Sequence, residues 1–368
     1  MGRVIVSARD SQGNISPQTY ADYSVVNPTK LVVAGGIYLG GNGDVRPKTI
    51  DRTPPTNIKG LQQYHSFADG MVYPGYQRAW VGTMVDSGVW LNLVMELKHY
   101  GAPNVIQTFT VEGKAYRVPM PDGTIQRRPG MVFPLAYSYD QVTTGAIDGL
   151  IHRLMAQLRG ITGNKRVNIQ LASEVDTDNE FGVSIGASIY TREQADIKAV
   201  AAYQYIVNFM RNPPNGIAPV PSGVTVSLGY AGQWSGIPGF LRTHPESLMA
   251  QLDYMHMNSY NHSANWTAEA RFREIVTWTR QLGPIGRSKN IIVSEFGSSA
   301  AFPTGQAGYM GQVPAALTKL NAEQVARNEG RFVMAVWFGS RDSSWGTLSP
   351  EEEGLAALQK MLDTSPFK

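Results

Sequence analysis

From about residue 143 onward the chain alternates between helical segments and short apolar runs. Five runs rich in β-branched and aromatic residues begin near residues 167, 224, 252, 290 and 332, and helical patterns lie between them. Short strands that alternate with helices indicate βαβ units, whose strands are parallel. The sequence therefore predicts an α/β fold built on a parallel sheet.

The helical segments show amphipathic spacing and ordinary end signals. In the first, Ile147, Leu150 and Leu154 recur at intervals of three or four residues and form one apolar stripe. The second opens at Thr191, a capping residue, and ends before Pro213. The patterns predict further helices over 238–249, 267–282, 313–328 and 350–362.

Three more strands are predicted upstream, over 30–40, 89–101 and 131–139. Eight strands with intervening helices predict a (β/α)₈ TIM barrel, here a single domain over 25–368 that follows an N-terminal extension over 1–24. Residues 102–130 read as an inserted β-hairpin, with turn signals at Glu112-Gly113 and Asp122-Gly123. A doubly wound open sheet is disfavoured because no Gly-rich dinucleotide fingerprint follows the first strand.

Composition excludes several classes of function. The 368-residue chain has a formal net charge of +3 and no long basic run, so we expect no nucleic-acid partner. It has no cysteine, which removes thiol nucleophiles and thiolate metal sites. No stretch is apolar enough to span a membrane, and the first residues do not read as a signal peptide. We expect no cofactor, and the sequence leaves the oligomeric state open.

Chemistry in such a barrel sits where the strands end. Reading each predicted strand to its end collects two glutamates, several aromatic residues, a histidine and an amide. The candidates are His99, Tyr137, Glu174, Trp234, Asn258, Tyr260, Glu295 and Trp337. Aromatic rings that pack on sugar C–H faces, together with amides and carboxylates that bind hydroxyls, are typical of carbohydrate sites.

Two carboxylates fit the cleavage of a glycosidic bond. One protonates the leaving oxygen, and the other attacks the anomeric carbon or activates water. Glu174 and Glu295 end the fourth and seventh predicted strands, on opposite sides of the barrel mouth. The β-branched run Ile291, Ile292 and Val293 predicts a rigid strand that presents Glu295.

The strand-seven motif VSEFG, together with Glu174, Tyr260 and Trp337 at other strand ends, resembles the pattern of the clan A glycoside hydrolases. Within that clan, the run from Asp148 to Gly297 is most similar to family 26, the mannanase-like β-glycanases. The resemblance implies a retaining (β/α)₈ enzyme with Glu174 as acid/base and Glu295 as nucleophile. It also implies that Tyr260 forms a hydrogen bond with the nucleophile and that Trp337 lies under the sugar in the subsite beside the scissile bond. His99, Tyr137, Trp234 and Asn258 are expected to contact substrate. Ser173 precedes Glu174 where the family would be expected to have histidine.

Several alternatives stay open at this point. Asp176, Asp178 and Glu180 follow Glu174 closely and compete with it as the acid, with Glu180 the first rival. The run DTDNEFG that contains them weakly resembles a calcium loop. Trp234, Trp266 and Trp345 follow strand ends and are either sugar platforms or loop packing. An aldolase or lyase would need a Schiff-base lysine on a strand, and only Lys98 comes near.

The sequence thus predicts hydrolysis of a β-linked polysaccharide, a mannan-like glycan or a bacterial exopolysaccharide or capsule. We expect endo action if the cleft is open at both ends and exo action if the 102–130 insertion blocks it. The rival is a non-catalytic carbohydrate-binding module or a phage virion structural module on the same barrel. Either protein is expected to act outside the cell, secreted or virion-associated.

Overall fold

The computed structural model describes residues 2–6, 19–23, 32–36, 60–68, 90–97, 106–128, 131–162, 166–175, 190, 192–230, 245–261, 265–298, 303–338, 356–358, 360–361 and 363–364. Strands come first in the chain, and helices and strands alternate later. The strands are β1 (Gly2–Val6), β2 (Thr19–Tyr23), β3 (Val32–Gly36), β4 (Gly60–Ser66), β5 (Trp90–Glu96), β6 (Gln107–Val111), β7 (Lys114–Val118), β8 (Gly123–Arg128), β9 (Met131–Ala136), β10 (Val167–Leu171), β11 (Val224–Tyr230), β12 (Tyr254–Asn261), β13 (Ile291–Ser298) and β14 (Phe332–Phe338). The helices are α1 (Tyr139–Thr143), α2 (Asp148–Thr162), α3 (Arg192–Arg211), α4 (Glu246–Gln251), α5 (Ala268–Gln281), α6 (Gly283–Ser288) and α7 (Gly305–Ala326).

Eight parallel strands form the barrel predicted from the sequence. Their hydrogen-bonded order runs β10-β11-β12-β13-β14-β3-β4-β5, and β5 pairs with β10 to close the ring. The chain is therefore an α/β protein with a (β/α)₈ fold. All carboxyl ends of the barrel strands lie at one mouth, which is where such folds place their chemistry.

One of the eight predicted barrel strands was wrong. The run over 131–139 was expected to be the third strand, but β9 pairs antiparallel with β8 and lies outside the barrel. The missing barrel strand is β4, which the sequence analysis did not identify, and the strand predicted over 89–101 is therefore third in the barrel and ends at Glu96. The two errors cancel in the count of eight.

The insertion between β5 and β10 holds two hairpins, where one was expected over 102–130. Strands β6 and β7 are joined at Glu112-Gly113, both with positive φ (48° and 82°), as a two-residue primed turn requires. Asp122-Gly123 is not a turn between strands, because Gly123 begins β8 and pairs with Ala136. The limits predicted for the domain and its N-terminal extension stay a prediction.

Successive side chains of each barrel strand point alternately toward the helices and into the barrel, and so form two layers. Outward residues pack against the helices in one large apolar core that includes Leu93, Ile169 and Val293. A smaller apolar cluster consists of Trp90, Ile292, Met334 and Val336. Trp90 lies two residues before Asn92, whose side chain points into the barrel, so the side chain of Trp90 also points inward. This cluster therefore lies inside the barrel.

Polar side chains fill the middle of the barrel interior. Asn92 donates from Nδ2 to Gln62 Oε1 (2.7 Å) and Gln170 Oε1 (2.9 Å), and its Oδ1 accepts from Asn168 Nδ2 (2.7 Å). His256 Nε2 lies 3.4 Å from Asn92 Nδ2. Burial lowers the pKa of His256 to about 3, so the ring is neutral at physiological pH. The interior therefore holds an uncharged amide network where such barrels usually have branched apolar residues.

The predicted helices correspond to α2, α3 and α5 within a few residues, α7 begins eight residues before the predicted start at 313, and the described part of 238–249 is helical only from Glu246. Residues 356–358 and 360–361 are helical within the predicted last helix. Among the described residues, no helix is both long and apolar enough to cross a membrane.

Candidate active site

Four predicted site residues converge at the mouth of the barrel. Glu174 lies three residues beyond the last residue of β10 and is partly exposed, whereas Glu295 lies within β13 and is 6% exposed. Asn258 and Tyr260 are alternate residues of β12 and are both buried. Since β12 pairs with β13 and is two strands from β10, it lies between the two glutamates.

A β-bulge in β13 contains Glu295. Met257 of β12 pairs with Val293 of β13, and Ser259 pairs with Phe296. One residue of β12, Asn258, therefore faces two residues of β13. The pairing of β13 with β14 shows the same extra residue. A bulge re-aims side chains, and such irregularities are frequent beside active sites. It brings Ser294 and Glu295 together opposite Asn258.

Tyr260 holds the buried carboxyl of Glu295. Its hydroxyl donates to Glu295 Oε2 at 2.5 Å, the contact implied by the family resemblance. Burial raises the pKa of Glu295 to about 8, because desolvation disfavours the charged form. Burial, reinforced by the nearby charge of Glu174, raises the pKa of Tyr260 well above its usual range. The phenol therefore keeps its proton and remains a donor to Glu295.

Asn258 connects Glu174 to the residue that precedes Glu295. Its Nδ2 donates to Glu174 Oε1 at 2.9 Å, and its Oδ1 accepts from Ser294 Oγ at 2.5 Å. Ser294 is the residue directly before Glu295. Asn258 is fully buried, so its amide orients the carboxyl group of Glu174 and holds Ser294 in the bulge. Its predicted contact with substrate stays a prediction.

The backbone before Glu174 is held in an unusual conformation. Ala172 has φ of 58°, a region that residues other than glycine rarely adopt, and its N–H donates to Met95 O at 3.0 Å. Val175 N donates to Gly229 O at 3.0 Å on the neighbouring strand. A Cβ built on Gly229 would lie 2.4 Å from Ala172 O and 2.6 Å from Ser173 O. The close approach of the two backbones thus requires glycine at position 229, and this packing sets the position of Glu174.

A third glutamate near the site, the buried Glu96, was not predicted from the sequence. Ser173 Oγ donates to Glu96 Oε1 at 3.0 Å, and Glu96 is 2% exposed. The rule of reading each strand to its end would have found it, but the strand was predicted to continue to residue 101. Ser173 directly precedes Glu174 and differs from the histidine expected in family 26. Its bond to Glu96 links the segment that carries Glu174 to the end of β5. Ser294 was also missed, because no sequence signal marks the bulge.

The remaining predicted contacts are buried or lie outside the described residues. Tyr137 follows β9 rather than a barrel strand, is fully buried and donates its N–H to Leu97 O. Trp337 of β14 is 1% exposed and packs edge-on against Phe296, with ring centroids 5.3 Å apart. Sugar stacking on either ring stays a prediction. His99, Trp234 and the alternative acid Glu180 lie outside the described residues, as do Lys98, Trp345 and the predicted calcium-like run.

The arrangement places two carboxyl groups in contrasting surroundings. One is buried against a tyrosine, and the other is partly exposed and bonded to an amide. Contrasting environments let one carboxyl group donate a proton while the other acts as a base or nucleophile. No group of three or more His, Asp or Glu side chains among the described residues could hold a metal ion.

Comparisons with known proteins reveal a similarity of structure without one of sequence. No family model matches the chain, and no curated protein matches it. Among solved structures, the YdhT protein from Bacillus subtilis superposes with a TM-score of 0.50 at 8% identity, over 92% of this chain and 86% of that one. At this identity the similarity shows the fold alone.

Two further solved structures are glycoside hydrolases. The endo-1,4-β-D-mannanase from Thermotoga petrophila RKU-1 has a TM-score of 0.46 and 12% identity, with 90% of this chain and 99% of that one covered. Two fungal β-1,4-galactanases are represented by a chain with a TM-score of 0.46 and 12% identity, over 83% of this chain and 88% of that one. Structures from families 53, 26 and 17 also match, so family 26 is not singled out.

Proposed function

We propose that this protein is a retaining glycoside hydrolase that cleaves a β-linked polysaccharide, with Glu174 as acid/base and Glu295 as nucleophile. The observation that carries the proposal is the hydrogen-bonded cluster at the barrel mouth. In it, Asn258 contacts Glu174 and the residue before Glu295, while Tyr260 contacts Glu295 itself. The neighbouring glycanase structures are consistent with this role only through their fold.

In the first step, protonated Glu174 gives its proton to the glycosidic oxygen while a carboxylate oxygen of Glu295 attacks the anomeric carbon. The bond to the leaving sugar breaks, and a covalent glycosyl-enzyme ester forms. In the second step, ionised Glu174 takes a proton from water as the water oxygen attacks the same carbon. The ester bond to Glu295 breaks, and both carboxyl groups return to their starting states.

The partly exposed position of Glu174 suits proton exchange with leaving group and water. The position of Glu295 suits attack, because the bond from Tyr260 to Oε2 fixes the plane of its carboxyl group. A nucleophile must be ionised, and the buried carboxyl has a pKa of about 8. The fraction of the free enzyme in which Glu295 is ionised therefore grows as pH rises toward that value.

The test is a panel of β-mannans, β-glucans, xylans and bacterial exopolysaccharides with the wild type, Glu174→Gln and Glu295→Gln, followed by release of reducing ends. We expect the wild type to cut at least one glycan and both variants to lose at least a thousandfold in kcat, the loss typical of removing a catalytic group. Lys319→Gln, a change at an exposed residue of α7, is the control and should keep full activity.

If a glycan is bound but not cut, and both variants bind it as the wild type does, the two glutamates are not a catalytic pair. The protein would then be a binding or structural module. The polymer that is cut would also name the sugar, and the sizes of its products would distinguish endo from exo action.

A further inference from the structure

We propose that Trp266 is the platform of an outer sugar-binding subsite, which takes a pyranose ring of the polysaccharide at the rim of the barrel mouth. This inference rests on the proposed function and concerns the same cleft. Trp266 lies between β12 and α5, on the side of the barrel where the strands end. That side also carries Glu174 and Glu295, so a chain that reaches the two glutamates can extend across this rim.

The first observation is the exposure of the indole. Trp266 is 44% exposed, and it is the only aromatic residue among the large exposed hydrophobic residues in the described part of the chain. Single exposed hydrophobic side chains are common and by themselves need no explanation. The way the structure holds this one distinguishes it from ordinary surface packing.

The second observation is that a hydrogen bond from a buried side chain fixes the backbone of Trp266. Asn261, fully buried at the end of β12, donates from Nδ2 to Trp266 O at 3.0 Å and lies 3.4 Å from Ser298 Oγ on β13. The next residue, Thr267, caps α5 by accepting from Ala270 N at 3.2 Å. The tryptophan therefore sits at a rigid junction of strand and helix.

The third observation concerns the ring itself. The guanidinium carbon of Arg271 lies 4.4 Å from the centroid of the Trp266 ring, in cation–π contact. Arg271 is 2% exposed and paired with Glu274 at 2.5 Å. A buried, paired arginine against one side of the ring limits its rotamers, so little side-chain entropy remains to be lost when a sugar stacks on the indole.

The fourth observation links the platform to the two strands that carry the catalytic cluster. Asn261 directly follows Tyr260, the partner of Glu295, and Ser298 follows Glu295 by three residues on β13. The platform is thus attached to the same strand pair as the nucleophile. A flat apolar ring with an exposed face recognises the C–H face of a pyranose, which is the chemistry of every unit in a polysaccharide.

The test compares polymer and short substrates. Trp266→Ala and Trp266→Phe are assayed on the polysaccharide cut in the panel and on the 4-nitrophenyl glycoside of the same sugar. We expect Trp266→Ala to raise KM for the polymer about tenfold and to leave kcat/KM for the short substrate within twofold. Trp266→Phe should recover most of the loss, because a ring is restored. Ile197→Ala, at a 64% exposed residue of α3, is the control and should change neither substrate.

Two results would overturn the inference: an unchanged KM for the polymer in Trp266→Ala, or an equal loss on polymer and short substrate. Affinity electrophoresis in gels that contain each panel polysaccharide gives a readout that does not need catalysis. If the variant is retarded as strongly as the wild type in every gel, or neither protein is retarded, the platform is excluded. Loss of activity in Glu174→Gln and Glu295→Gln is measured separately, so the subsite can fail while the proposed function stands.

Discussion

Glu295 is held in a position that disfavours its own ionisation. The carboxyl group is buried on a strand, and burial raises its pKa to about 8, although Tyr260 donates to it. A carboxyl group whose pKa is higher in the folded than in the unfolded state stabilises the fold at low pH. That contribution is complete below the unfolded pKa, near 4.5, and is lost as pH rises through about 8.

Glu295→Gln should therefore stabilise the protein at high pH while it abolishes activity. Glutamine is neutral at all pH values and still offers an oxygen to Tyr260. At pH 9 we expect a gain on the order of a few kcal/mol, or several degrees in Tm, whereas at pH 4.5 the variant and the wild type should melt alike. Thermal unfolding followed by circular dichroism at both pH values measures the difference.

The control for this prediction is Glu246→Gln, at an exposed glutamate of α4. It should leave the pH dependence of Tm close to that of the wild type. An equal Tm difference between Glu295→Gln and the wild type at pH 4.5 and pH 9 would show that ionisation of Glu295 is not opposed by the fold.

At the scale of elements, the junction between β10 and Glu174 depends on a glycine of the next strand. A Cβ on Gly229 would meet two backbone oxygens and the side chain of Gln170, all at 2.6 Å or less. Backbone atoms cannot move aside cheaply, so Gly229→Ala should push the segment that carries Glu174 outward. We expect a loss of about a hundredfold in kcat, the effect of a displacement near 1 Å, and a destabilisation of about 1–3 kcal/mol.

Gly160→Ala is the matched control, because Gly160 lies in helix α2 and a Cβ there meets nothing within 4 Å. Alanine favours helix over glycine by about 1 kcal/mol, so this variant should keep its activity and be slightly more stable. Steady-state kinetics and thermal melts of both variants decide the matter. Wild-type activity in Gly229→Ala would mean that the close approach does not position Glu174.

Strands β4 and β9 are the two strands whose role in the barrel the sequence does not predict correctly. Strand β4, GLQQYHS, was missed because its inward residue Gln62 belongs to the polar network, so the segment lacks the apolar run of a buried parallel strand. Strand β9, MVFPLA, does form a strand, but periodicity does not reveal that its partner is the antiparallel β8. Pairing partners are set by tertiary contacts that no local pattern encodes.

The same limit applies to the site. Glu174, Asn258, Tyr260 and Glu295 follow from reading strands to their ends, since parallel strands end at one face. The contacts among them do not follow, because they depend on the bulge in β13 and on the strained turn at Ala172. Glu96 escaped because the end of β5 was placed five residues too far along the chain (101 − 96).

For the whole molecule, the barrel brings together residues that are distant in sequence. Its closure by β5 and β10 places Glu96 beside Ser173, and the order β10-β11-β12-β13 places Asn258 between Glu174 and Glu295. The network around Asn92 is uncharged and joins four barrel strands, β4, β5, β10 and β12. Burial gives the two carboxyl groups different surroundings, and the roles proposed for them follow from their places after the fourth and within the seventh barrel strand.

The most direct test of those roles is rescue by azide. Glu174→Ala and Glu295→Ala are incubated with sodium azide and the 2,4-dinitrophenyl β-glycoside of the sugar that the panel identifies, and the anomer of the glycosyl azide is read by proton NMR. Without a nucleophile, azide displaces the leaving group once, whereas without an acid/base it attacks the glycosyl-enzyme and displaces Glu295. We expect the α-azide from Glu295→Ala and the β-azide from Glu174→Ala. The opposite pair of anomers would contradict the assignment, and so would full hydrolytic activity in either variant.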